Sequence, residues 1–434
     1  MSETTDFLNE AAARRGADSE VWENAHETDE LVCRDGTVER EVEAATTATA
    51  LTVWKDGTEG YAVHIPGGPD ASLVDTALAV GRALGPAPAP PTPHTPSVAG
   101  PRLPAEPRLD ESVARRLAKL TAGPADVDVE LRARADRSRV VLHRAGHAPQ
   151  HHSTGTFQLQ ARVTARGERV GFIAHQMFGR SVDAVLQHAE GVELDELTSL
   201  ARVLASEPAP RLSHDDVLVD GRVMAKLFML AVPAFQLDSV LEGRSPLADR
   251  VGERIGAPGL SLVDDPTAAD SPLPTPWDDE GTPCRPTTLI ADGVLRGFLS
   301  SRRTAAEAGT ASTGSGRRGP SGEMATVQPG FLALRPATDL GDSPRAGRTL
   351  LKVVQANGAH TSNAITGDFS IGANAVLVTP DGGLHNAGNI TVAGNVFELL
   401  GRIDGHDGQP RLNRSNTSFV ATPGVWTSSL TIGR

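Results

Sequence analysis

Four histidines fall within ten positions: His143, His147, His151 and His152. Imidazole is the commonest side-chain metal ligand, and the i, i+4 spacing of the first two would suit one face of a helix. The surrounding residues point elsewhere. Val140-Val141-Leu142 reads as a strand and Ala145-Gly146-His147-Ala148-Pro149 as a turn, so a solvated loop between strands is expected, with a metal site as the alternative. A hydrolytic zinc helix needs H-E-x-x-H or H-E-x-x-x-H, which places two imidazoles on one face beside a glutamate that activates water. Only His26 precedes a glutamate, and Glu30 and Leu31 stand where the second histidine is required; no histidine lies between His214 and His360.

Other chemical signals are equally incomplete. Gly314-Ser315-Gly316-Arg317-Arg318-Gly319 matches G-x-G-x-x-G, a pattern that binds pyrophosphate only between a strand and a helix. Pro320 follows it, and a flexible loop is expected. Asp278-Asp279-Glu280 could offer carboxylates to a metal, but directly before Gly281 they read as a solvated turn. Cys284, in Pro283-Cys284-Arg285-Pro286, reads as a structural thiol, although Arg285 could lower its pKa. There is no G-x-S-x-G elbow. These residues alone form no complete catalytic constellation.

The 434 residues carry a formal charge of −13, with 41 Lys and Arg against 54 Asp and Glu. An acidic chain without a basic tail is a poor partner for a phosphate backbone or an anionic membrane. No run approaches the roughly 18 apolar residues of a membrane helix. Met1–Asn9 is polar and acidic, without the apolar stretch of a secretion signal. With only Cys33 and Cys284, a disulfide framework is excluded and a cytoplasmic location is expected. Eleven Phe, four Trp and one Tyr leave the core to Val, Leu, Ala and Ile, while 44 Gly and 31 Pro predict many turns.

The elements that must position these residues indicate an α+β fold with mostly antiparallel sheets. A helix is expected over 6–15, a hairpin around Lys55-Asp56-Gly57, and a helix over 70–84 stopped by Gly85. Nine prolines within 86–107 predict a semi-rigid connector. A helix at 110–120 then precedes strands in which Val127, Val129, Leu131 and Ala133, and later Phe157, Leu159, Ala161, Val163 and Ala165, alternate with polar residues. Two helical stretches follow, at 181–189 and 194–204, before Pro208 and Pro210. An apolar helix over 221–241, interrupted at Pro233, leads into short strands. The expected division is an N-terminal domain at 1–86, a connector at 87–108, a middle α+β domain at 109–210 and a C-terminal, mostly β domain at 211–434.

The C-terminal third carries a resemblance. Pro276–Pro283, followed by Thr287-Thr288-Leu289-Ile290, Asp292-Gly293-Val294-Leu295 and Gly297-Phe298-Leu299, resembles the C-terminal domain of the TldD/PmbA (TldE) family. So do Ala305–Gly309 with Ser312-Thr313-Gly314, Ile365–Gly372, and Asn389–Asn395. Ala373-Asn374-Ala375 and Thr379–Gly383 depart from the family pattern.

The resemblance implies two paralogous subunits, of which the TldD type carries an H-E-x-x-x-H zinc helix and the TldE type lacks it. The matching helix here, 221–241, runs Val223-Met224-Ala225-Lys226-Leu227-Phe228-Met229, without histidine. The implied role is therefore a zinc-free TldE-like subunit, with zinc in a TldD-like partner of a heterodimer that hydrolyses peptides or small N-acyl substrates. In that role this chain closes and shapes the shared cavity. His360, Asn363, Asp368 and Ser370 are the polar candidates for its lining, although Asp368 and Ser370 would equally brace a turn. The Ala-, Arg- and Pro-rich composition fits a GC-rich genome such as an actinomycete's, where similar pairs serve specialised metabolism as N-deacetylases. The alternatives are a non-catalytic binding or scaffold protein, and a stand-alone metal hydrolase built on His143–His152.

Overall fold

Strict alternation of side chains builds the first half of the chain. In the computed structural model, residues 3–64, 70–87, 106–123, 125–210, 212–341, 343–358, 362–415 and 418–433 are described. Helix α1 (Glu3–Arg14) leads into the long strands β1 (Asp18–Arg34) and β2 (Thr37–Lys55), and then β3 (Thr58–His64) and α2 (Ser72–Leu84). After the proline-rich segment come α3 (Glu111–Thr121), β4 (Val127–Arg144), β5 (Gln150–Arg166) and β6 (Val170–Gly179). The turn between β2 and β3 has positive φ at Asp56 (51°) and Gly57 (73°), as the Asp-Gly pair predicts. Asp110 caps α3 by accepting from the Ser112 and Val113 amides.

All six strands form one antiparallel sheet in the order β3-β2-β1-β4-β5-β6. The β1–β4 pairing runs from Glu20↔Arg144 to Arg34↔Glu130, so a single sheet joins the segments on either side of residues 87–108. Pairing by period two sends Leu131, Ala133, Phe157, Leu159, Ala161 and Val163 to one face, where they pack against α3 and the helices that follow β6. At the other end of that face, Val21, Leu51 and Val53 pack on α1 and α2. The opposite face is polar and concave.

Helix α4 (Val182–His188), a π-helical turn (Ala189–Glu193) and α5 (Leu194–Leu204) run on without a break. Leu194, Leu197, Leu200, Ala201 and Leu204 form the apolar stripe of α5. That stripe lies between the first sheet and a second, seven-stranded sheet containing strands Asp216–Val219, Leu350–Asn357, Asp368–Val378 and Leu384–Asn395. A third sheet of six strands, among them Ser261–Asp264, Phe331–Arg335 and Ser418–Thr422, completes the C-terminal region.

The long helix expected over 221–241 is three pieces instead. Helix α6 (Gly221–Phe228) ends well before Pro233, a 3-10 turn spans Val232–Phe235, and a short helix covers Leu237–Leu241. Proline cannot supply the amide that a continuous helix needs, and Gln236 is extended (φ −97°, ψ 130°).

The alternation on β5 makes a direct prediction. Leu159, with no exposed surface, replaced by alanine should lose about 2–5 kcal/mol. Gln160→Ala, one residue along and on the cavity face, should change stability by about 0.5 kcal/mol or less. Chemical denaturation of the two variants checks this; comparable losses would contradict the assigned faces.

Candidate functional site

The concave face of the first sheet forms one wall of a cavity of about 480 Å³, within the range that small-molecule sites occupy. Trp22, Asn24, His26 and Glu30 of β1, Arg132, Arg134, Asp136, Ser138 and Val140 of β4, His152, Thr154, Thr156, Gln158 and Gln160 of β5, and Gln176 of β6 line this wall. β1, β4 and β5 contribute alternate residues, so the polar half of their period-two pattern is the cavity surface. The other wall comes from the C-terminal region: Leu273, Thr275, Asp279, Arg317, Arg318, Gly319, Pro320, Gly330 and Arg414.

That second wall unites two segments that read as unrelated in the sequence. Asp278 is fully buried; its carboxylate accepts from the amides of Glu280 (3.0 Å), Thr282 (2.8 Å) and Gly316 (2.9 Å). The Asp279 amide donates to the Gly316 carbonyl (2.9 Å), and the Asp279 carboxylate accepts from the Arg318 amide (2.9 Å). Glu280 accepts from the Arg302 amide (2.7 Å). The solvated turn expected at 278–280 is thus a buried one, because the 314–319 loop folds over it and supplies donors. The flexible loop expected at 314–319 is pinned in return. Glycine is required there: a Cβ at Gly316 would lie 2.4 Å from a Glu280 carboxylate oxygen. No helix follows the loop, so its glycines serve packing and not pyrophosphate.

The two walls are tied together by aromatic and charged contacts. Trp22 Nε1 donates to Asp279 (3.1 Å), and Trp22 packs with Trp277, Ala48, Ala50, Val140 and Leu142. The Arg318 guanidinium sits over the rings of Tyr61 (5.2 Å) and Trp22 (5.8 Å). Arg414 reaches Asp136 at 2.9 Å, beside Arg134 and His26. Burial alone would raise the Asp136 carboxyl; the hydrogen bonds from His26 and Arg134 and the charge of Arg414 hold it far below the usual range.

The histidine cluster does not converge. His143 lies on the helix-covered face near Asn9 (3.4 Å), and His147 sits exposed in the turn with Nδ1 near the Ala145 carbonyl. His151 is exposed, and His152 alone enters the cavity, edge-on to Trp277 with ring centroids 4.2 Å apart. Among the described residues, no group of three or more His, Cys, Asp or Glu is placed to hold a metal ion. Burial depresses His152 to about 4, so it is neutral at neutral pH. Cys284 is buried, and its thiol is pushed up to about 12. It donates to the Gly314 carbonyl (3.4 Å) and accepts from Arg317 (3.3 Å), a structural arrangement.

Of the remaining candidates, His360 lies outside the described residues. Asn363, Asp368 and Ser370 are exposed and are not among the residues lining the cavity. Asn363 accepts from the Ile365 and Thr366 amides, and Asp368 accepts from Thr366 Oγ1 and Asn395 Nδ2. Those bonds brace the turn that precedes the strand Asp368–Val378. The sequence reading missed the cavity wall on β1, β4 and β5. Its only signal was the polar half of each alternating run.

A smaller cleft of about 110 Å³ lies beside α6, lined by Arg222, Val223, Lys226, His175, Gln176 and Gln355 among others. Two of the three α6 residues there, Arg222 and Lys226, are cationic side chains that cannot ligate a metal ion.

The buried turn makes a pH prediction. Burial pushes the Glu280 carboxyl up to about 7, against the pull of Arg302. A carboxyl raised on folding favours the native state below its ordinary value near 4.5, and that contribution is lost as pH rises through 7. Glu280→Gln keeps the neutral form at every pH. From pH 5 to 8 the wild type should lose stability relative to this variant, by an amount on the order of 3 kcal/mol. Paired thermal melts measure it, and parallel pH dependence of the two proteins would contradict the assignment.

Residues 213–434 match the PmbA/TldA metallopeptidase C-terminal domain. A metalloprotease of Methanothermobacter thermautotrophicus is 27% identical over 253 residues, covering 56% of this chain and 54% of its own. The PmbA metalloprotease of Escherichia coli O157:H7 is 28% identical over 199 residues, covering 45% and 42%. The chain spans about half the length of the curated relatives it matches. In solved structures, TldE from Thermococcus kodakarensis superposes with a TM-score of 0.82 at 20% identity, covering 99% of both chains. A Thermotoga maritima protein described as a putative modulator of a DNA gyrase gives the same TM-score, identity and coverage. Those two likenesses establish the fold, and the match over 213–434 establishes descent: the chain belongs to the TldD/PmbA family of metallopeptidase-like proteins.

Proposed function

We propose that this chain is a zinc-free, TldE-like subunit of a heterodimeric amide hydrolase, closing and shaping the cavity of a TldD-like partner that carries the zinc. The observation that carries the reading is α6. It opens the family-matched region and reads Gly221-Arg222-Val223-Met224-Ala225-Lys226-Leu227-Phe228, with no histidine or carboxylate of its own. A hydrolytic zinc lowers the pKa of its bound water through a set of neutral or anionic ligands. Residues of this helix do not fit that task, and no step of the reaction is assigned to them.

The substrate class is peptides or N-acyl amides, with N-deacetylation in specialised metabolism as its narrowest form and the cytoplasm as the location. Among the described residues, no helix is long and apolar enough to cross a membrane. His360, Asn363, Asp368 and Ser370 are the residues of this chain assigned to the shared cavity.

Expressed together with a TldD-type paralogue from the same genome, the chain should co-purify with it. Hydrolysis of short peptides or N-acetylated amino acids should require both subunits. Hydrolysis at the full rate by this chain alone, or by the paralogue alone, would overturn the reading.

A further inference from the structure

Arg317 brings a permanent charge to the cavity, balanced through space by Asp278 and Asp279 but not by a carboxylate in hydrogen-bond contact. It is 6% exposed and lines the cavity, and a guanidinium keeps its charge at every accessible pH. Among the described residues it forms no carboxylate ion pair; Asp278 and Asp279 act on it by charge alone. Its hydrogen-bond acceptor among the described residues is the Cys284 sulfur, and burial keeps that thiol neutral.

The nearby acids are already engaged. Asp264 accepts from the Gly330 and Phe331 amides (3.0 and 2.9 Å), and Asp278 accepts from three amides. Asp279 accepts from Trp22 and the Arg318 amide. Asp278 and Asp279 act on Arg317 through their charge and not as hydrogen-bond acceptors, so a guanidinium that lines the cavity keeps donors free for an acceptor there.

A second, independent observation lies at the same end of the cavity. Among the described residues, His152 Nδ1 is buried without a hydrogen-bond partner, and a buried polar atom left so costs free energy that a ligand's acceptor or donor can recover. Arg318 adds a second cation with no carboxylate within ion-pair distance among the described residues; its guanidinium reaches the Glu323 carbonyl, Thr52 and the aromatic faces. Five arginines and three carboxylates line the cavity of a chain whose net charge is strongly negative. From this end the groove runs along β4 and β5 past Gln158 and Gln160, side-chain amides suited to pairing with peptide groups.

We propose that this chain itself binds a carboxylate ligand, held between Arg317 and His152, with the ligand's amide-bearing remainder along the glutamine-lined wall. The choice of a peptidic acid over another small oxyanion rests on the amide-hydrolase reading; the hydrogen-bonding capacity at Arg317 and His152 does not. The site is distinct from α6 and needs no metal.

Titration of the full chain alone with N-acetyl-alanyl-alanine, followed by calorimetry and by intrinsic tryptophan fluorescence, tests it. The acid should bind, and its C-terminal amide and inorganic phosphate should each bind at least about tenfold more weakly. Arg317→Gln should lose at least about tenfold in affinity for the acid, and Arg317→Lys should recover part of it. The comparison of acid with amide uses the unaltered protein, so it stands even if a variant fails to fold. Equal binding of acid and amide, tighter binding of phosphate than of the acid, or no binding of the acid at millimolar concentration would overturn the proposal. Because no partner is present, this outcome is independent of whether a heterodimer forms.

Discussion

A carboxylate with no exposed surface holds the two halves of this protein in register. Glu193, in the π-helical turn between α4 and α5, accepts from Arg222 of α6 (2.9 Å), from Arg411 (2.8 Å) and from His175 of β6. Arg222 continues the chain of charges to Asp220 (3.0 Å) and Glu196, and Arg411 returns to Glu196 (3.2 Å). Burial by itself would raise the Glu193 carboxyl. The His175 hydrogen bond and the Arg222 and Arg411 charges overrule that and keep it ionised well below its ordinary range. Such a network adds little net stability over apolar packing, but removing one member strands a buried charge at about 3–5 kcal/mol. Its consequence is geometric. The first sheet, α6 and the strand Arg411–Ser415 are fixed relative to one another, and so are the two walls of the cavity.

Within that frame, one wall is set by simple alternation and the other by mutual hydrogen bonding. The polar face of the first sheet is the by-product of burying its apolar face on helices. The 278–280 turn and the 314–319 loop have no such excuse. Each would leave buried donors or acceptors unpaired without the other, and together they satisfy nearly the whole local requirement. What remains is the guanidinium of Arg317, balanced by the charges of Asp278 and Asp279 but hydrogen-bonded to neither. The chain has the fold of the TldD/PmbA family, an α6 without histidine or carboxylate, and a charged cavity between sheet and loops.

Much of this was legible in the residues. The Asp56-Gly57 turn, the helix ending at Gly85 and the alternation through Phe157–Ala165 follow from local chemistry alone, and the ordered C-terminal motifs identified the family. The long hairpin of β1 and β2 was not legible, because residues 37–47 are exposed or half-buried and carry no apolar period to read. Nor was the pairing of β1 with β4, which depends on contacts across the proline-rich segment. The burial of Asp278 and Glu280 was hidden for a related reason. Acidic residues before glycine are ordinarily solvated, and only the return of a distant glycine-rich loop reverses that here. Asp368 took the local role open to it, bracing a turn.

The central claim is that catalysis by metal belongs to a partner and not to this chain. Zinc measured by elemental analysis, on the chain purified alone and again with a TldD-type paralogue, addresses it most directly. The account predicts no stoichiometric zinc in the isolated chain and about one zinc per heterodimer. Close to one zinc per isolated chain would contradict it and return attention to the histidines between His143 and His152.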